Sequence, residues 1–255
     1  MGYKSKLRKV PFGKDIRNLI SGEMEVEDRR AAMHRVEAYG EESMSFFLEA
    51  LEEISQKIDI DCDDVYLMVL TMWYMAYKKE KRAFPLLMQL SLRKQHLEEM
   101  SYNLEESYPF ALYHTFNGDY ALLDKMMLTP GRESYAECTL IITAVDLCHN
   151  GIVDQELVKE TLLKLLFSPY RKDEQIMEYL CMGLCIAPFP ELMPLVKVML
   201  EMGVASTYDV RGYEDCLSLL GNDNHFAAKD LFLTKALLPY PFYEELEYLQ
   251  PESFE

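Results

Sequence analysis

Cys181 and Cys185 stand four residues apart, so they share one face of a helix, the spacing at which two thiolates can begin a metal site. A zinc site needs further nitrogen or sulfur ligands, and no CxxC pair or HExxH step supplies them. Cys62, Cys138, Cys148 and Cys216 are scattered, mostly on apolar helix faces, and the plain reading is buried free thiols with no metal. The histidines His34, His96, His114, His149 and His225 pair neither with each other nor with a nucleophile motif. His114, within Phe110-Ala111-Leu112-Tyr113-His114, reads as a lining or capping residue, and His149 before Asn150-Gly151 as a helix C-terminus favoured by the dipole. Glu105-Glu106 and Asp63-Asp64 are adjacent pairs that diverge on a helix, so they read as solvated first turns and not as a general acid and base. With no GxSxG, Gly-rich phosphate loop or GxGxxG, the sequence leads us to expect neither a catalytic residue nor a cofactor. Any enzyme here would have to collect its site from several helices.

The elements that would position such groups are helices. The chain has 255 residues, 49% apolar and 27% charged, enough for a large buried core and ordinary for a globular protein. Leu and Met outnumber Val and Ile more than two to one, and unbranched side chains keep their rotamer freedom in a helix. Four segments, Lys81–Leu92, Asp119–Leu128, Asp154–Phe167 and Pro190–Met202, read as short amphipathic helices that start roughly 36 residues apart. Leu86, Leu122 and Val158 stand in register along them, as do Leu90, Met126, Leu162 and Val198. Each is preceded by another apolar helix, at 62–78, 104–116, 133–149 and 173–186. Asn117-Gly118, Thr129-Pro130-Gly131, Asn150-Gly151 and Gly221-Asn222 punctuate them.

Two helices per repeat at this period predict an all-α fold: a right-handed α-solenoid of antiparallel helix pairs, HEAT/TPR-like, with atypical capping helices at both ends. Upstream, Glu25–Tyr39 is a charged helix and Glu41–Lys57 carries an apolar stripe; downstream, Tyr213–Leu220 and Ala227–Leu238 are weaker helices suited to a cap. The helix at 62–78 is apolar on all sides, which fits either a central helix covered on both flanks or a groove lined with Met and aromatic residues. The domain reading is a basic N-terminal extension at 1–12, a single solenoid at 13–238 and an acidic aromatic tail at 239–255. The tail carries Tyr240, Phe242, Tyr243, Tyr248 and Phe254 among five Glu and no base. It can dock on its own solenoid, bind a partner as a linear segment or stay unstructured, and loose or weakly self-docked termini are the expectation.

The stretch Trp73-Tyr74-Met75-Ala76-Tyr77, with Lys81-Arg82-Ala83-Phe84-Pro85-Leu86-Leu87, Leu104-Glu105-Glu106, Phe116-Asn117-Gly118-Asp119 and Gly151-Ile152-Val153-Asp154, resembles a bacterial family catalogued as domain of unknown function 1186. The resemblance covers roughly residues 62–204 and implies a short HEAT-type helical protein. It implies no activity, since these are packing and turn residues.

Charge narrows the partners. The formal net charge is −17, although residues 1–17 hold Lys4, Lys6, Arg8, Lys9, Lys14 and Arg17 against Asp15 alone. Such an acidic chain repels phosphate backbones, so direct nucleic-acid binding is disfavoured and a protein or peptide with a basic surface is the expected partner. The run Val65–Tyr77 is too short to span a bilayer, and the start lacks a secretory pattern, so no membrane and a cytoplasmic location are expected. The function expected is a non-catalytic interaction or scaffold module that binds on a concave helical face. Tyr74, Tyr77, Tyr108, His114, Tyr135 and Tyr179, polar-tipped aromatics on the first helix of each pair, are the candidate contacts. The alternatives are an acidic nucleic-acid mimic that inhibits a DNA- or RNA-binding protein, and an enzyme with a site assembled from several repeats.

Overall fold

The structure, a computed structural model, describes residues 2–21, 24–93, 101–130, 134–168, 176–177, 180–181, 183–184, 189–202 and 242–245. Every element among them is helical, and no strand occurs among the described residues. In chain order they are α1 (Tyr3–Leu7), α2 (Gly13–Ile20), α3 (Val26–Glu37), α4 (Glu41–Gln56), α5 (Cys62–Lys78), α6 (Phe84–Leu90), α7 (Ser101–Thr115), α8 (Tyr120–Leu128), α9 (Ser134–His149), α10 (Gln155–Leu166), α11 (Met193–Glu201) and α12 (Phe242–Glu245). Short 3₁₀ turns at Lys81–Ala83 and Pro190–Leu192 lead into α6 and α11. The weaker helices expected at 213–220 and 227–238 lie outside the described residues. No described helix is long and apolar enough to cross a membrane.

The chain divides into two compact units, Met1–Asn117 with Pro239–Glu255, and Gly118–Leu238. In the first, α5 is the central helix, packed on α2, α4, α7 and α12, while α6 packs on α4 and α7. All residues from Asp64 to Ala76 are buried, so the all-round apolar surface of α5 is a covered core helix and not an open groove. In the second unit α8, α9 and α10 pack against one another. Their apolar positions Leu123, Met126, Leu140, Ala144, Val158 and Leu162 are buried.

Local chemistry sets the helix ends. The Asp61 side chain accepts from the Asp64 backbone N–H at 3.0 Å and the Asp64 side chain accepts from the Asp61 N–H at 3.2 Å, a reciprocal cap that satisfies two orphan donors of α5. The other end stops at Lys79, whose φ of 52° is left-handed and turns the chain out of the helix.

The basic start is more than an appended extension. Tyr3 and Leu7, four residues apart on α1, are buried together with Phe12, and α1 packs on α2 and α4. The corner between α1 and α2 needs Gly13, because a Cβ there would lie 1.8 Å from the Leu7 carbonyl oxygen. Tyr3 donates its hydroxyl to Asp64, Lys57 reaches the same carboxylate oxygen at 2.7 Å, and Lys4 pairs with Asp61 at 2.5 Å. Burial alone would raise the Asp64 pKa, but the bonds from Lys57 and Tyr3 outweigh it and hold the carboxyl below its ordinary range. Lys6 pairs with Glu49 on α4, so two of the N-terminal bases are spent on the acidic body.

Candidate functional site

Tyr74, Tyr77 and Lys78 occupy one face of the last turn of α5, at spacings of three and four residues. His34 and Glu37, three apart at the end of α3, present a second row. Onto these rows the short helix α12 brings Phe242 and Tyr243.

Phe242 is 1% exposed. Its ring stacks on Tyr77, with centroids 5.3 Å apart and planes 17° from parallel, and meets the Tyr74 ring at 5.6 Å. Phe47 of α4 supports Tyr74 from beneath at 5.1 Å, and the series continues through Phe46 to Phe12. These tilted and edge-on contacts at 5–6 Å are the favourable arrangements of aromatic quadrupoles, so the floor under Phe242 is built of packed rings.

Tyr243 lies over the polar rim. Its ring meets Tyr77 edge-on at 5.8 Å and His34 at 4.6 Å. Its hydroxyl donates to Glu37 Oε2, and with that proton committed, His34 Nδ1, 2.9 Å away, donates to the phenol oxygen. Lys78 closes the rim with Nζ 2.5 Å from Glu37 Oε1, standing 4.8 Å from the Tyr77 ring centroid and 5.6 Å from that of Tyr74. Burial by itself would raise the Glu37 pKa, but the hydrogen bonds from Lys78 and Tyr243 keep it below the usual carboxylate range. The same burial and the anionic Glu37 push the Tyr243 phenol up, so it remains a donor throughout the physiological range. The arrangement is a pocket for one apolar ring beside a clamp for one hydroxyl-bearing ring.

Of the six contacts expected from the sequence, this cradle brings two together, Tyr74 and Tyr77. Tyr77 is half-buried and lines the site; Tyr74, 1% exposed, forms its floor and reaches no solvent. Tyr108 lies away from the cradle: it is 0% exposed, and its hydroxyl donates to the Leu87 carbonyl at 2.5 Å, which ties α7 to α6. His114 is likewise a core residue, 8% exposed between the rings of Phe110 and Tyr113. Its Nε2 has no hydrogen-bond partner among the described residues, and burial, with Lys79 nearby, lowers its pKa to about 4, so it is neutral at physiological pH. The Tyr135 side chain and Tyr179 lie outside the described residues. Glu37, His34 and Lys78 were missed. Their signal was the i, i+3 spacing of His34 and Glu37, with no sequence cue to the partner in the tail.

Among the described residues no group of three or more His, Cys, Asp or Glu is placed to hold a metal. Cys138, Cys148 and Cys181 are buried, whereas Cys62 is exposed on the first turn of α5. Cys185 and Cys216 lie outside the described residues. Compared with models of known families, with curated proteins and with solved structures, the chain matches none.

Proposed function

We propose that the protein is a non-catalytic interaction module that binds a peptide or partner protein on a helical face. The observation that carries this reading is the cradle itself: the face of α3 and α5 seats a pair of aromatic side chains from a distant part of the chain, Tyr243 meeting Glu37 and His34 across 206 and 209 residues. A buried aromatic anchor beside a polar clamp is how a helical surface holds a linear segment. The repeat reading, a HEAT/TPR-like solenoid akin to the family of residues 62–204, is supported by packing within each unit. There α4 touches α5 and α6, α6 touches α7, and α8 touches α9 and α10, as successive stacked hairpins would. The net charge of −17 favours a partner with a basic surface, with association that weakens as salt rises.

Affinity purification with the full-length chain and with Tyr77→Ala tests this reading. Partners held by the wild-type chain are expected to leave at about 0.5 M salt, where the Debye length falls to a few ångströms, and to be lost from Tyr77→Ala. Equal retention of the same partners by both chains, or no retained partner at all, overturns it.

A further inference from the structure

The short helix α12 touches two helices at once, and the two contacts differ in kind. Phe242 makes the apolar one, closed in by Tyr74 and Tyr77 of α5. Tyr243 makes the polar one, reaching α3 through Glu37 and His34. The two oxygens of Glu37 are used separately. Its Oε1 takes Lys78 of α5 at 2.5 Å and its Oε2 takes the Tyr243 hydroxyl, so one carboxylate joins α3, α5 and α12. Elsewhere α3 packs on α2, to which Arg35 is tied through Asp15 at 2.6 Å. A helix of twelve residues is marginal in water by itself, so the protection of α3 depends on such neighbours. Charge favours the arrangement. The segment 239–255 carries five Glu and no base, and α12 docks on the helix that ends in Lys78 and Lys79, followed by Lys81 and Arg82 with Glu80 among them. The tail belongs to the same compact unit as α1–α7, although the whole second unit intervenes in sequence.

We propose that the C-terminal segment is a strap: Phe242 anchors it on α5, and Tyr243, through Glu37, fastens the end of α3 to that helix. The strap concerns how the chain closes on itself and stands independently of the interaction-module reading. Its two residues have separate parts. Phe242 sets the position, because its ring is buried against an apolar floor. Tyr243 does the fastening, because its phenol oxygen meets two side chains of α3. Removing that oxygen leaves the strap seated on α5 and breaks its bonds to Glu37 and His34. Removing the Phe242 ring takes away the seat itself.

Hydrogen–deuterium exchange of the full-length chain, read by peptide mass spectrometry, tests the strap. Tyr243→Phe is expected to raise the exchange of the α3 amides about ten-fold, the scale of one hydrogen bond to a charged group, and Phe242→Ala by at least as much. Glu37→Ala combined with Tyr243→Phe is expected to exchange no faster in α3 than Glu37→Ala alone, since the two residues share one bond. The helices α9 and α10, in the other unit, are expected to keep their wild-type rates in every variant. Circular dichroism reports whether each variant keeps its helices, and Tyr243→Phe carries the test if Phe242→Ala does not. Unchanged α3 exchange in the folded Tyr243→Phe chain overturns the proposal. So does an equal rise in α3, α9 and α10, which would mean that the tail adds only general stability. Effects that multiply in the double variant overturn it too, because the fastening would not then run through Glu37.

Discussion

Replacing Trp73 with Ala is expected to lower the unfolding free energy by about 3–5 kcal/mol, the range for deleting a large aromatic from a packed core. Trp73 is 1% exposed at the centre of α5, the helix on which α2, α4, α7 and α12 all pack, so no single neighbour can move in to fill the space. Trp73→Phe is expected to cost much less. The indole Nε1–H has no hydrogen-bond partner among the described residues, and the substitution removes that orphaned donor together with part of the volume. Urea unfolding followed by circular dichroism measures both variants. Because Trp73 is the chain's one tryptophan, its fluorescence reports directly on this packing.

The second large effect lies in the other unit and depends on pH. Asp146 on α9 is 4% exposed, its Oδ1 has no hydrogen-bond partner among the described residues, and burial pushes its carboxyl up to about 8. In the unfolded chain the same group titrates near 3.9. Between these values the folded protein holds a proton that the unfolded chain releases. The associated stability is therefore complete below the unfolded pKa and is lost as pH rises through the folded one. At roughly 1.4 kcal/mol per pH unit, the wild-type protein is expected to lose about 3 kcal/mol between pH 5.5 and 8 from this group alone. Asp146→Asn abolishes the ionisation and is expected to show a correspondingly flatter profile. Denaturant unfolding of both chains at the two pH values checks this; equal slopes would mean that Asp146 stays charged in the fold.

The all-helical content and several helix bounds were legible in the sequence because helical periodicity is a local signal. The helix expected at 62–78 is α5 to the residue, and that at 133–149 matches α9 to within one residue. What periodicity left open was whether the apolar girth of α5 was covered or exposed, since that depends on helices elsewhere in the chain. The site was less legible. Tyr74 and Tyr77 on α5 and Tyr108 on α7 all offer a hydroxyl, but whether that hydroxyl meets water or a carbonyl is decided across the core. Tyr108 meets Leu87, whereas Tyr77 is left at the surface to receive Phe242. The bond between Tyr243 and Glu37 spans 206 residues and has no local pattern. The N-terminus shows the same limit. Its basic residues suggested an appended arm, and the apolar pair Tyr3 and Leu7 that anchors it was overshadowed by the charge around it.

The account turns on whether Phe242 is energetically coupled to the face of α5, and a double-mutant cycle of Tyr77→Ala and Phe242→Ala on the full-length chain measures that coupling. A stacked aromatic pair contributes about 0.5–1.5 kcal/mol beyond its buried area, so the double variant is expected to be less destabilised than the two single variants together by about 1 kcal/mol. Additivity to within about 0.3 kcal/mol would show that Tyr77 and Phe242 do not meet in solution, and the cradle would not exist as described.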